Sequence, residues 1–138
     1  MAKSSTKVRL ILYHKGKILL LRQLKAKGGN YTLVGGTVEL NETPKLALVR
    51  ESFEEAGIIL RPSDLRLVHV LHKTAKGQHR LVLYFKAFYW EGELKAKETH
   101  KFKEAEWFDL ENLPRKLTHS VRLVLEGYRS GRMYTELV

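Results

Sequence analysis

The stretch GGTVELNETPKLALVRESFEEAGI, residues 35–58, decides how the rest of this chain reads. Thr43-Pro44 predicts a helix start, with a hydroxyl at the N-cap and proline at the first helical position. Gly57 predicts its stop, as a C-cap residue after about Ala56. On a wheel of about 100° per residue, Leu46, Val49, Phe53 and Ala56 fall within an arc of roughly 80°, a stripe expected to face the core. Glu51, Glu54 and Glu55 fall within a second arc of about 100°, facing largely away from that stripe. Carboxylates at i, i+3 and i+4 repel one another, at a cost of a few tenths of a kcal/mol per pair in an isolated helix. A compensating positive charge is therefore expected, either Arg50 or a divalent cation. Mg²⁺ and Mn²⁺ take hard oxygen ligands, with one or two carboxylates completed by water and substrate phosphate. Alone, the three glutamates would better suit an ordinary solvated helix face.

Upstream of this segment, residues 8–13 and 18–21 read as strands joined by the turn His14-Lys15-Gly16-Lys17. A basic, glycine-rich loop follows at 25–30, then a short strand at 31–34 that runs into Gly35-Gly36. Downstream, 65–71 and 81–90 read as strands joined by a basic turn over 73–80, and 106–108 as part of another. The run 84–90 is expected to be buried on both faces. Residues 121–128 have helical spacing, with Val121, Leu125 and Tyr128 on one face. Strands lead and helices interrupt them, so the class is α+β or mixed α/β. His69 and His72 fall in a strand, where i and i+3 point to opposite faces, which argues against a histidine-based metal site.

The 138 residues fit one domain, and 43% hydrophobic with 29% charged is a globular mix. No linker, repeat or low-complexity tract divides the chain. The net charge of +10 favours polyanionic partners: nucleotides, nucleic acid or an acidic membrane surface. Absence of cysteine excludes disulfides, Cys-ligated zinc, iron–sulfur clusters and thiol catalysis. No apolar run approaches the roughly 18 residues of a membrane span, and a cytoplasmic location is the expectation.

The wider spacing Gly36-x5-Glu42-x7-Arg50-Glu51-x2-Glu54-Glu55-x-Gly57-Ile58 resembles the signature of the Nudix hydrolases. Seven of these eight positions, at about 6% each, would coincide on the order of once in 10⁹ placements. The resemblance is strong over the box, about 36–58, and looser over the rest of residues 1–138, read as a single domain. Three departures touch no acidic position: Ser52 stands where the family has an aliphatic residue, Val34 where proline is frequent, and Asn41 where glycine is common. Asparagine is among the few residues that tolerate left-handed backbone.

The resemblance implies an α/β/α sandwich with a mixed sheet, and a loop–helix–loop that binds Mg²⁺ or Mn²⁺. It assigns Glu51, Glu54 and Glu55 to the metal, together with the carbonyl of Gly36. Arg50 would orient these carboxylates and Glu42 would support the loop. The implied reaction is metal-dependent hydrolysis of a nucleoside diphosphate linked to another moiety, with water attacking a pyrophosphate phosphorus. Glu51 is the first candidate base. Glu98, His100 and Glu104 are the later-loop candidates, and Glu98 also a further metal contact.

Outside the box, Arg22, Lys25, Lys27 and Arg80 are candidates to reach phosphates, and Tyr31, Phe102 and Trp107 to stack on a base. The downstream proline of many ADP-ribose hydrolases and the tyrosine of many dinucleoside polyphosphate hydrolases are missing at convincing spacings. Elimination therefore points to a nucleoside triphosphate. Residues 36–58 carry −3, leaving +13 for the rest of a chain whose total is +10. An acidic site in a basic body equally suits RNA 5′-end hydrolysis. A non-catalytic nucleotide or RNA sensor on the same scaffold is the reading from another class. A homodimer is among the assemblies the resemblance allows.

Overall fold

The computed structural model describes residues 3–138. Its elements in chain order are β1 (Lys3–His14), β2 (Lys17–Gln23), β3 (Tyr31–Thr32), β4 (Gly35–Thr37), α1 (Pro44–Ala56), β5 (Ile58–Ile59), β6 (Arg66–Ala75), β7 (Gln78–Ala87), β8 (Glu91–Gly92), β9 (Phe102–Asp109), α2 (His119–Arg129) and β10 (Tyr134–Leu137). The main sheet runs β10-β6-β7-β1-β2-β3, with β4 added on β1 and β9 on β2. It is mixed: β1 pairs β7 in parallel and β10 pairs β6 in parallel, while the other pairings are antiparallel. A separate two-stranded ribbon joins β5 to β8.

Strand alternation builds the two apolar layers. Val8, Leu10 and Leu12 of β1, with Leu19 and Leu21 of β2, pack beneath Ala47, Leu48 and Ala56 of α1. The intervening Ile11, Ile18 and Leu20 point the other way, against Val121, Val124 and Leu125 of α2. Adjacent residues on a strand face opposite sides, so near-continuous apolar runs in β1 and β2 are what a sheet covered on both faces requires. The product is the expected sandwich of two helices around a mixed sheet. Among the described residues, no helix is long and apolar enough to cross a membrane.

Local readings survive where backbone chemistry is restrictive. Lys15 and Gly16 both have positive φ between β1 and β2, the geometry that matches a two-residue turn to strand twist. Asn41 is left-handed, as its side chain permits.

Three readings need correction, and one strand is added. The core stripe of α1 is not Leu46, Val49, Phe53 and Ala56: Leu46 and Phe53 are half exposed, and the buried residues are Ala47, Leu48, Ser52, Glu55 and Ala56. Small side chains at 47, 52 and 56 let the helix lie close to the sheet with Glu55 turned inward. The turn proposed over 73–80 is mostly strand, since β6 and β7 continue to Ala75 and Gln78 around Lys76-Gly77. The run 84–90 is not buried throughout. Phe88 and Tyr89 are exposed, because β7 ends at Ala87, opposite Leu12 near the end of β1. Finally, β10 is too short to announce itself in sequence, yet it caps one edge of the sheet.

That edge is anchored by His69, which is 1% exposed on β6. Its Nδ1 lies 3.0 Å from the Arg132 carbonyl and its Nε2 lies 2.8 Å from the Thr135 hydroxyl. A neutral ring satisfies both, donating from Nδ1 and accepting at Nε2. Burial accordingly holds the His69 pKa below its ordinary value, with the Arg132 contact opposing. The unfolded chain then binds the proton more readily, so the stabilisation is complete above the unfolded pKa of about 6.5 and declines as pH falls through the folded one. We expect His69→Leu to cost about 1–3 kcal/mol at neutral pH. In urea unfolding at successive pH values, the gap between wild type and His69→Leu should narrow below about 6.5; a constant gap would show that the ring is not held neutral.

Candidate active site

Three backbone features place the site. The Thr43 hydroxyl accepts the Leu46 N–H at 3.2 Å and starts α1, and left-handed Gly57 ends it. The β4 strand lies antiparallel to β1, with Val8 opposite Gly36. Both of its glycines are required by close approach: a Cβ on Gly35 would meet the Val8 carbonyl, and one on Gly36 would overlap the Glu51 carboxylate. The chain at 35–36 is thereby pressed between β1 and the acidic side of α1.

Arg50 organises that side. Its Nε and Nη2 donate to the two oxygens of Glu42 at 2.8 and 3.0 Å, a bidentate fork. Its Nη1 reaches Glu51 at 2.9 Å and Glu54 at 3.4 Å, and Nη2 also donates to the Thr37 carbonyl at 3.2 Å. The Arg50 hydrogen bonds, with the Glu39 N–H in support, hold the Glu42 carboxyl down at about 2. Of the two compensating charges expected from the sequence, Arg50 is present, and it stands between Glu51 and Glu54.

The remaining carboxylates are less well served. Glu55 is 4% exposed and its Oε1 accepts the Gly35 N–H at 2.9 Å. Burial pushes its carboxyl up to about 8; the Gly35 N–H and Arg9 oppose this, while Glu51 and Glu98 reinforce it. Glu51 is likewise raised, by burial first, against the pull of Arg50. Glu98 presents a buried Oε1 without a hydrogen-bond partner, with the Lys101 ammonium 3.8 Å away. Glu51, Glu55 and Glu98 thus act on one another electrostatically beside the Gly36 backbone, an all-oxygen donor set short of positive charge. That is the chemistry of a hard divalent cation. Among the described residues no three carboxylate or imidazole groups already close on one point, and Arg50 holds Glu51 and Glu54 apart from such a cluster.

A cleft of about 460 Å³ opens over Glu51 and Glu55, with Glu54 and Glu98 outside its wall. Gly36, Glu51 and Glu55 form its acidic wall, and Lys7, Arg9 and Lys101 its cationic one. Glu39 adds to the acidic wall, and Gln23, Phe102, Thr118 and Ser120 are among the other lining residues. A larger hollow of about 660 Å³ lies at the far end of β1, around His14, Phe88, Tyr89 and Trp90. It contains none of the α1 carboxylates, so chemistry rather than size assigns the site.

The residues expected to bind substrate divide. Phe102 is in the cleft wall. Arg22 pairs with Glu104 at 3.6 Å and lies over the Tyr31 ring at 5.3 Å, outside the wall. The Tyr31 ring is packed in the α2-side core, and its hydroxyl donates to Glu106 at 3.2 Å. Arg80 sits on β7, outside the cleft. Lys25 and Lys27 are exposed on a helical turn, His100 is exposed in a loop, and Trp107 packs against Trp90. Of the cations that do line the cleft, Lys7 and Arg9 alternate with Val8 and Leu10. That period-two signal extends the first strand below residue 8 and could have placed them on its α2-side face.

Comparison with known proteins agrees with this architecture. The sequence model of the NUDIX domain matches residues 4–126. The chain is 37% identical over 119 residues to an "ADP-ribose pyrophosphatase" of Methanocaldococcus jannaschii, covering 86% of this chain and 69% of that protein. It is 34% identical over 97 residues to the "NAD-capped RNA hydrolase NudC" of Photorhabdus laumondii, covering 70% of this chain but 36% of that longer protein. Among solved structures, a MutT NUDIX hydrolase from Burkholderia pseudomallei superposes with a TM-score of 0.80 at 30% identity, over 90% of this chain and 97% of that one.

The close contact at Gly36 gives a test that separates site geometry from stability. In Gly36→Ala the new methyl meets the mobile end of Glu51 rather than backbone. We expect the carboxylate to be displaced and hydrolysis to fall at least tenfold, with the melting temperature changed by only a few degrees, the equivalent of about 1 kcal/mol. Unchanged turnover would show that the placement of Glu51 against Gly36 is immaterial.

Proposed function

The chain belongs to the NUDIX domain family and is a hydrolase of that family; from that premise we propose that it cleaves the pyrophosphate linkage of a nucleoside diphosphate joined to a further group. The observation that carries the reading is the positive-charge-deficient set Glu51, Glu55 and Glu98, of which Glu55 is fully buried, with Gly36, Glu51 and Glu55 facing Lys7, Arg9 and Lys101 across one cleft. Family members generally use divalent metal ions. In this chain Glu51, Glu54, Glu55, Glu98 and the Gly36 carbonyl would hold Mg²⁺ or Mn²⁺. Once bound, the ion neutralises phosphate oxygens and makes water a better nucleophile.

The chain's own groups do the rest. Lys7, Arg9 and Lys101 draw the diphosphate into the cleft and offset its charge. Glu51 aligns the attacking water and takes its proton. Arg50 orients Glu51, and the Glu42 fork holds Arg50 in place, so the base is positioned before substrate arrives. The water oxygen bonds to phosphorus, the bridging P–O bond breaks, and the products are a nucleoside monophosphate and the phosphorylated second group.

For the substrate, the sequence elimination toward a nucleoside triphosphate rests on an absent proline, an absent tyrosine and a chain as short as the minimal family members. The 37% identity to a protein named as an ADP-ribose pyrophosphatase weighs more, because it spans 86% of this chain. ADP-ribose is therefore the leading compound, with nucleoside triphosphates beside it. Product release with Mg²⁺ or Mn²⁺ tests both. Glu54 is half exposed and, among the described residues, its hydrogen bond and ion pair are both with Arg50, so Glu54→Gln should retain the fold. We expect that variant to lose at least 100-fold in kcat/KM, about 2.7 kcal/mol of transition-state stabilisation. Absence of metal-dependent turnover on every nucleotide tried, with nucleotide binding intact, would favour the non-catalytic sensor instead.

A further inference from the structure

The cationic wall of the cleft does not stop at the cleft. Lys7 of β1 is in register with Val82 of β7, and Val82 with Leu71 of β6; Val82 and Leu71 are buried under α2. Residues in register share a face, as do residues two apart on one strand. Arg80, two residues before Val82, and Lys73, two after Leu71 and directly opposite Arg80, therefore lie on the same face as Lys7. These three side chains cross the part of the sheet that α2 leaves uncovered, at the end nearest the Lys76-Gly77 turn. Two strand spacings, about 10 Å, separate the strand of Lys7 from that of Lys73. Among the described residues none of the three forms an ion pair. All three are half-buried, and Lys7 feels the charges of Arg80 and Lys73 directly.

Three adjacent like charges repel, and a fold gains nothing in stability from lining them up unneutralised. A mononucleotide seated at the carboxylates is fully served by Lys7, Arg9 and Lys101, and leaves Arg80 and Lys73 without a role. What uses them is a ligand carrying further phosphates at regular intervals beyond the cleaved diphosphate. We propose that Lys7, Arg80 and Lys73 form a track for the sugar–phosphate backbone of a single-stranded nucleic acid whose 5′ end enters the cleft. The substrates of the same site then extend from small nucleotides to 5′-polyphosphorylated or 5′-capped oligonucleotides. This rests on the hydrolase reading for what happens at the 5′ end, but the track itself is a binding surface and can be measured without turnover.

The probe is a 5′-triphosphorylated decaribonucleotide, with the matching nucleoside triphosphate and ADP-ribose as short ligands. Binding is measured without divalent metal over a range of salt, and turnover with Mg²⁺. Since Lys7 already serves the cleaved diphosphate, neutralising two further phosphates at Arg80 and Lys73 should make the oligonucleotide's slope of log K against log salt steeper than the triphosphate's by about 1.4, each single-strand contact contributing about −0.7. The oligonucleotide should bind at least tenfold more tightly than the triphosphate. Lys73→Glu should weaken the oligonucleotide five- to tenfold and flatten the slope by about 0.7 or more, while KM for ADP-ribose stays within twofold. Arg80→Ala should weaken oligonucleotide binding to a similar extent. Equal affinity for oligonucleotide and triphosphate would overturn the track, as would an oligonucleotide affinity indifferent to both substitutions. Stripe-dependent RNA binding without hydrolysis of any ligand would leave the track standing and remove the hydrolase reading. ADP-ribose turnover with stripe-independent RNA binding would do the reverse.

Discussion

A single buried contact, the Glu55 carboxylate on the Gly35 N–H, sets the rotation of α1 and with it everything that faces the cleft. Taking a carboxylate out of water costs several kcal/mol, and a hydrogen bond to a charged acceptor returns about 1.5–3. The exchange runs at a loss, which is why the carboxyl is pushed up to about 8. A helix chosen for stability alone would have buried Leu46 and Phe53. Instead Phe53 is left half exposed beneath the Lys97 ammonium, 3.8 Å from its ring centroid, and Ser52 is buried with its hydroxyl unpartnered. Those are the marks of an element positioned for its polar side, with the apolar side accommodated afterwards.

Arg50 belongs to the same design. One guanidinium serves Glu42 through two bonds, Glu51 and Glu54 through a third amine, and the Thr37 carbonyl besides. It ties the loop before α1, the helix and β4 into one body. Lysine offers a point charge on a flexible stem and could not make that fork. The strongest part of the pair, Arg50 with Glu42, leaves Glu51, Glu55 and Glu98 with less positive charge than they need. The fixed arginine provides rigidity, and the residual deficit is what an exchangeable cation would fill.

Electrostatics then separate into two fields. The acidic side of α1 and β4 faces a cationic wall drawn from β1 and the loop at Lys101, and that wall continues across β7 and β6. Opposed fields across one cleft suit a phosphate ester, whose oxygens seek the basic side while its cation-bound face seeks the acidic one. The unevenness of a chain with net charge +10 is therefore more informative than the total.

Sequence by itself determined the family and much of the frame. Helix capping at Thr43-Pro44 and Gly57, left-handed Asn41, the turn at Lys15-Gly16 and the interval from Gly36 to Gly57 all follow from local rules, in which a residue's own backbone or its near neighbours decide the outcome. Tertiary structure decided what depends on distant partners. The apolar periodicity of α1 pointed to the wrong face, because the buried Glu55 finds its donor twenty residues upstream and no helical wheel includes it. Tyr31 read as a base platform, but its ring is enclosed by packing from α2 and its hydroxyl is claimed by Glu106. Lys7, Arg80 and Lys73 are scattered along the chain and meet only because parallel pairing of β1 with β7, and antiparallel pairing of β7 with β6, brings them into register. A motif carries its chemistry in local spacing; a surface exists only once strands have chosen their neighbours.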